Sequence, residues 1–219
     1  TGKTTMKLIL KISLACLLAT GCASKISAQT YVKLNGLYAL VGVVNPAVEF
    51  TLSPKSTFQT EIVVSPWKSI NNHHALFCIF MGEYRRYFKE HNRGWYLGAN
   101  IGMQAFDLSK PYIENWKLKF ENRYSKGYGF MFGACAGYER IFRKRWVFDV
   151  FFGWSWMTSF YNGYDLDGRT QMEPHRPVQP LHPDPFNGSS EWYPNKLGVS
   201  IGYRIFMPKR LRTDGSCSR

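Results

Sequence analysis

The stretch from Gly127 to Met157 constrains the fold more than any other, because it alternates strictly in two runs around one short basic turn. In the first run Gly127, Gly129, Met131, Gly133, Cys135, Gly137 and Glu139 hold the odd positions, against Tyr128, Phe130, Phe132, Ala134, Ala136 and Tyr138. In the second run Trp146, Phe148, Val150, Phe152, Trp154 and Trp156 oppose Arg145, Val147, Asp149, Phe151, Gly153, Ser155 and Met157. Strand side chains point to opposite faces with a period of two, so this is a β-hairpin with an aromatic face and a small or charged face. Which face meets which solvent decides what the protein is.

The chain begins with a segment to be set aside. Gly2-Lys3-Thr4 resembles the end of a phosphate-binding loop, but such a loop needs an upstream glycine and a preceding strand. From Met6, Lys7 and Lys11 supply a positive start, Ile12 to Leu18 an apolar run, and Ile26-Ser27-Ala28 a small-residue end before Gln29. That pattern is a secretory signal peptide, with cleavage expected after Ala28. Cys22 after Ala19-Thr20-Gly21 is the alternative, a lipoprotein site, for which Ala19 substitutes weakly for leucine.

Residues 1–28 carry four lysines and no acid, so their removal still leaves most of the formal charge of +13. A basic exported protein meets anionic lipid or polysaccharide, and nucleic acid is not an expected partner. Cys78, Cys135 and Cys217 remain, an odd number without close spacing, so no disulfide framework is implied. No later stretch approaches roughly 18 uninterrupted apolar residues, so no membrane helix is expected, and the mean hydropathy of −0.27 looks soluble to a helix-based test. A barrel escapes that test, because half of each of its strands faces inward.

The same alternation recurs along the chain. Strands are predicted over Tyr31–Leu40, Asn45–Leu52, Phe58–Val64, Ala75–Phe88 and Trp95–Gln104, then over the two arms of the hairpin, and finally over Asn195–Phe206. Asp107 to Lys126 reads as a polar connection, and Ser159 to Pro194 as an irregular stretch holding six of the 11 prolines. Eight successive strands without an intervening helix predict an all-β fold, an eight-stranded antiparallel up-and-down transmembrane β-barrel. Residues 29–206 would form it, with a basic periplasmic tail over 207–219. Connections after strands two, four and six are tight, and those after three, five and seven are long. A short Val41-Gly42 connection after strand one breaks this parity. Outer-membrane barrels keep short turns in the periplasm and long loops outside.

Charges of both signs fall on the face opposite the aromatic one: Lys33, Glu49, Glu61, Glu83, Arg85, Glu139, Asp149, Lys196 and Arg204. In a soluble lipocalin-like barrel these would point outward. In a membrane barrel the order inverts. The charged face is rich in glycine, which suits a crowded interior, and Trp95, Trp146, Trp154 and Trp156 stand towards strand ends as interface girdles. Strands of about 9–13 residues match a tilted crossing of the hydrocarbon layer. Inversion is therefore expected. The interior charges must then pair, and Glu83, Arg85, Glu139, Asp149 and Arg204 are assigned to one structural ion-pair network. Eight strands enclose a lumen that side chains fill, so no open pore is expected.

Several blocks carry a resemblance: Ser65-Pro66-Trp67, EYRRYF over Glu83–Phe88, GYGFMFGACAGYERIF, Arg145-Trp146 with Asp149, and the closing GVSIGYRIF. Over about Tyr31 to Phe206, in their order and spacing, they resemble a family of small Bacteroidota outer-membrane barrels catalogued as domain of unknown function 3575. The resemblance implies the fold, an outer-membrane location in a Gram-negative bacterium and association with fimbria-type gene neighbourhoods. It implies no catalytic residue. The Pro-rich stretch and the tail after Phe206 depart from the family's compact pattern.

Enzymatic readings are weaker. Some eight-stranded barrels modify lipid A with His, Ser and an acid near the outer leaflet, and His73-His74, Ser69, Ser155 and Ser159 fall near the predicted outer rim. His175 and His182 with Glu173 and Asp184 match no ligand spacing, so no metal and no cofactor is expected. The loops offer Trp67, Trp116, Tyr161, Tyr164, Trp192 and Tyr193 among Lys117, Lys119, Arg169 and Arg176. Exposed aromatic and basic residues suit glycan or partner-protein binding and equally suit lipopolysaccharide phosphates. The expectation is a non-enzymatic barrel with a structural or adhesion-related role. Its partners would be outer-membrane lipid, lipopolysaccharide and envelope or fimbrial proteins.

Overall fold

Alternating residues form long strands here, and the strands close on one another. The computed structural model describes residues 29–67, 73–109, 111–114, 117–120, 123–165 and 187–207. The strands are β1 (Thr30–Asn35), β2 (Pro46–Ser53), β3 (Ser56–Ser65), β4 (Ala75–Tyr87), β5 (Arg93–Leu108), β6 (Pro111–Glu114), β7 (Lys117–Phe120), β8 (Arg123–Phe142), β9 (Trp146–Asp165) and β10 (Asn187–Phe206). One short helix, α1, covers Gly36–Leu40. Eight strands form a closed antiparallel barrel in the order β1-β10-β9-β8-β5-β4-β3-β2, and β6 with β7 makes a separate hairpin between β5 and β8. Every barrel strand pairs with its chain neighbours, and β1 closes on β10, so the topology is up-and-down.

The predicted first strand is shorter than its alternation suggested. Asn35 ends it by capping α1, its side-chain oxygen accepting from the Leu37 amide at 3.1 Å. Gly-Leu-Tyr-Ala-Leu places good helix formers after a cap, and three alternating residues cannot distinguish a strand from one helical turn. The connection from β1 to β2 therefore runs over residues 36–45 and is long, so the exception to the loop parity disappears. All connections at one end (36–45, 66–74, 109–122, 166–186) are long, while those at the other (54–55, 88–92, 143–145) are tight.

The last three strands exceed their predicted bounds, each running for 20 residues. For β10 the reason is a register shift between Tyr193 and Lys196, where Pro194 and Asn195 together face one position of β9. This bulge inserts one residue and reverses the phase of alternation. Leu197, Ile201 and Ile205 point outward after it, whereas Trp192 does so before it, packing edge-on to Trp156 at 5.5 Å. The tight turn after β8 places Arg143 and Lys144 at φ of 48° and 64°, and Gly94 lies at φ 94° beside the β4–β5 turn.

Among the described residues no helix is long and apolar enough to cross a membrane, which leaves a barrel crossing untouched. The upstream and signal segment over 1–28 and the tail from 208 lie outside the described residues.

Candidate functional site: the charged lumen and the loop-side rim

The lumen inverts the order of a water-soluble core. Phe130, Phe132, Phe152, Trp154, Leu97 and Ile201 lie exposed on the outer wall, while Lys33, Glu49, Glu83, Arg85, Glu139 and Asp149 are fully buried within. Burying such charges costs several kcal/mol each, on the order of what unpaired ions lose, unless partners and hydrogen bonds compensate. Here they do.

Lys33 contacts Glu49, Glu139 at 2.5 Å and Asp149 at 3.3 Å. Arg85 donates through Nε to Glu83 at 2.5 Å and through Nη1 to Asp149 at 2.8 Å, with Glu139 and Glu49 at 3.7 and 3.8 Å. Lys196 bridges Glu83 at 2.5 Å and Glu61 at 2.9 Å. Neutral donors complete the set. The Tyr87 hydroxyl lies between Glu49 and Glu139, Tyr96 donates to Asp149 at 3.0 Å, and Asn92 donates to Glu139 at 3.1 Å. The Arg85 guanidinium also stacks 4.6 Å from the centre of the Tyr96 ring. Each of the eight barrel strands supplies at least one of these side chains, so the network spans the lumen from wall to wall.

Glycines make the room. A Cβ on Gly137 would lie 2.5 Å from the Tyr96 ring, and one on Gly202 would lie 2.7 Å from Lys33 Cγ. The glycine-rich inner face is thus the complement of the large polar side chains opposite it.

The structure brings Glu83, Arg85, Glu139 and Asp149 together and places Arg204 elsewhere. Arg204 pairs in register with Tyr31 near the last rung of the sheet, and its Nη2 donates to the Lys144 carbonyl at 2.7 Å, at the turn end. Arg145, which alternation placed on the inner face, is exposed in the turn and donates to the Tyr203 hydroxyl at 3.1 Å. Lys33, Glu49, Glu61 and Lys196 join the network although they were assigned only to the charged face. Tyr87 and Tyr96 were not singled out. Their signal was available, since Tyr87 follows Arg85 by two residues and shares its face.

Nearer the loop end the lumen changes chemistry. Ser155 donates to Asn100 at 2.9 Å, Asn195 donates to Asn100 at 3.4 Å, and Gln104 lies 3.5 Å from the Ser159 hydroxyl. Met81 and Met131 pack around Asn195. Ser155 and Ser159 therefore serve this buried layer, and Ser69 lies outside the described residues, as do His175, His182, Glu173, Asp184, Trp116, Arg169 and Arg176.

At the loop-side rim His74 Nδ1 meets Asp107 Oδ1 at 2.6 Å, and Lys126 meets the other Asp107 oxygen at 3.1 Å. The His74 ring stacks on Tyr124 at 3.9 Å, which in turn stacks on Tyr164 at 5.0 Å. The Ser109 hydroxyl accepts from the His74 amide at 3.1 Å, so it pins the backbone. The rim is an ordered polar and aromatic cluster joining β5, β8, β9 and the segment before β4. Among the described residues no group of three or more His, Cys, Asp or Glu side chains is arranged to hold a metal.

A family model described as "Protein of unknown function (DUF3575)" matches residues 12–184. No curated protein and no solved structure matches the chain.

Proposed function

The chain belongs to the DUF3575 family, and we propose that it is a non-enzymatic outer-membrane β-barrel with a filled interior, acting structurally or as a surface-binding and adhesion-related module through its long loops. One observation carries this reading: a wall of exposed rings and aliphatic side chains surrounds a lumen of fully buried ion pairs. In water such a wall would be a large aggregation-prone surface, whereas in hydrocarbon it is the favourable one. A spanning strand needs about 9–11 residues, so the 20-residue strands β8 to β10 would stand clear of the bilayer on the loop side. The sorting of long and tight connections supports an orientation with the tight turns in the periplasm. Lipopolysaccharide, and envelope or fimbrial proteins, are the partners this orientation offers to the loops. Trp192 and Tyr193 are exposed there.

Cell fractionation tests the proposal. The protein is expected in the outer-membrane fraction, resistant to urea extraction, and to change its gel mobility only after heating. Release by urea, or recovery as a water-soluble periplasmic or secreted protein, would overturn it.

A second reading, a lipid-A-modifying enzyme, draws on the His74–Asp107 hydrogen bond at the rim, which orients a histidine as a general base requires. The serine beside that histidine, Ser109, is buried and its hydroxyl engages the His74 backbone amide at 3.1 Å, not the ring. Lipid A mass spectra of a deletion strain separate the two, and a mass change restored by the intact gene alone would favour the enzyme.

A further inference from the structure

The tight-turn end of the outer wall carries a groove of about 920 Å³ between the end of β4, the start of β5 and the end of β8. Trp95 and Tyr138 form its aromatic side, register partners packed edge-on at 5.4 Å. Lys89, Arg93, Arg140 and Lys144 line it as well. Arg93 and Arg140 are directly opposite each other in the β5–β8 ladder, both exposed. Like charges in that position repel, so the pairing is unfavourable unless an anion joins them. Among the described residues the one acid that pairs there is Glu90, which holds Arg93 at 3.3 Å in an exposed pair. Lys89, Arg140 and Lys144 pair with no acid among the described residues. Glu139, the neighbour of Arg140 in sequence, points into the lumen.

The groove therefore has a strongly cationic border, with an aromatic side that opens onto the apolar wall. Leu97 and Ala136, the next outward pair beyond Trp95 and Tyr138, continue that wall, and Leu97 is exposed. We propose that this groove is a binding site for an anionic glycerophospholipid of the leaflet on the tight-turn side. The lipid phosphate sits between Arg93, Arg140 and Lys144, and an acyl chain runs along Trp95 and Leu97. Guanidinium and ammonium groups suit phosphate through charge-assisted hydrogen bonds, and tryptophan and tyrosine suit the headgroup boundary. Charge complementarity selects an anionic lipid over a zwitterionic one. The proposal rests on the membrane reading above, and its test must fail separately from that reading.

The full chain, folded in detergent and reconstituted into vesicles of phosphatidylcholine with a minor share of phosphatidylglycerol, is extracted mildly, and its retained lipids are identified by native mass spectrometry. Wild type is expected to enrich phosphatidylglycerol. Arg140→Gln combined with Lys144→Gln should reduce that enrichment about tenfold, from the loss of two surface cations near the lipid phosphate. Arg140→Gln alone should give a partial loss, and Lys55→Gln, at another tight turn of the same end, none. Unchanged enrichment in the double variant, an equal loss in Lys55→Gln, or release of the lipid by inorganic phosphate alone would each overturn the site. In the first of these outcomes a urea-resistant, heat-modifiable variant leaves the barrel reading standing. A wild type that inserts into no vesicle overturns both.

Discussion

Arg85 on β4 and Asp149 on β9 meet at 2.8 Å although their strands stand three places apart around the ring. The contact crosses the lumen, so it exists only in the closed barrel. Replacing Arg85 by Met removes a cation shared by Glu83 and Asp149 and leaves both carboxylates buried with fewer partners. Breaking a buried pair from one side costs about 3–5 kcal/mol. Arg85→Met is expected to lower the temperature at which the purified barrel loses its folded gel mobility, and Arg85→Lys to lower it less. An unchanged transition would mean that the network contributes little.

Tyr87 and Glu139 test whether the lumen behaves as one unit. The Tyr87 hydroxyl serves Glu49 and Glu139, and Glu139 also receives Lys33 and Asn92. Tyr87→Phe should destabilise the barrel by about 1–3 kcal/mol for the lost buried hydroxyl, and Glu139→Gln should cost less, because it also relieves the repulsion of Glu139 with Glu49 and Asp149. Their double variant should fall short of the sum, as residues sharing a network do. Additive effects in denaturant titrations would contradict a coupled network.

Gly137 and Gly188 make a matched pair of substitutions. A methyl at Gly137 enters the Tyr96 ring, whereas a methyl at Gly188 meets nothing within 4 Å. Gly137→Ala should cost about 1–3 kcal/mol through overpacking, and Gly188→Ala should leave the unfolding midpoint in place. Equal midpoints for the two would show that the inner wall has more slack than its packing indicates.

The rim cluster predicts a local effect. His74→Ala removes the stack on Tyr124 and the bond to Asp107 but leaves Lys126 on that carboxylate. Limited proteolysis should cut the connection over residues 66–74 faster in this variant, while heat stability of the barrel changes little. A large drop in barrel stability would place His74 in the structural core instead.

The alternation of glycine with aromatic residues made the strand number, the topology and the two faces legible, because the period of two is a direct consequence of strand geometry. It failed where geometry departs from that period. Asn35 turned the end of β1 into a capped helix, and the Pro194–Asn195 bulge hid the first half of β10 by reversing its phase. The ion-pair network was legible as a face but not as a set of contacts. Which carboxylate meets which cation depends on register and on the lumen's width, so Arg204 looked equivalent to Arg85 although it lies near the last rung. The rim cluster was hidden for a different reason, since His74, Asp107 and Lys126 are distant in sequence and only the β4–β5 and β5–β8 pairings bring them together.

Trp154 gives the most direct measurement of the central claim, that the aromatic face meets hydrocarbon. It lies on the outer wall of β9, between the inward-facing Gly153 and Ser155. A variant retaining Trp154 as its sole tryptophan, folded into vesicles, should be quenched strongly by lipids brominated on their acyl chains and hardly at all by aqueous iodide. Strong quenching by iodide, with no response to brominated lipid, would contradict the account.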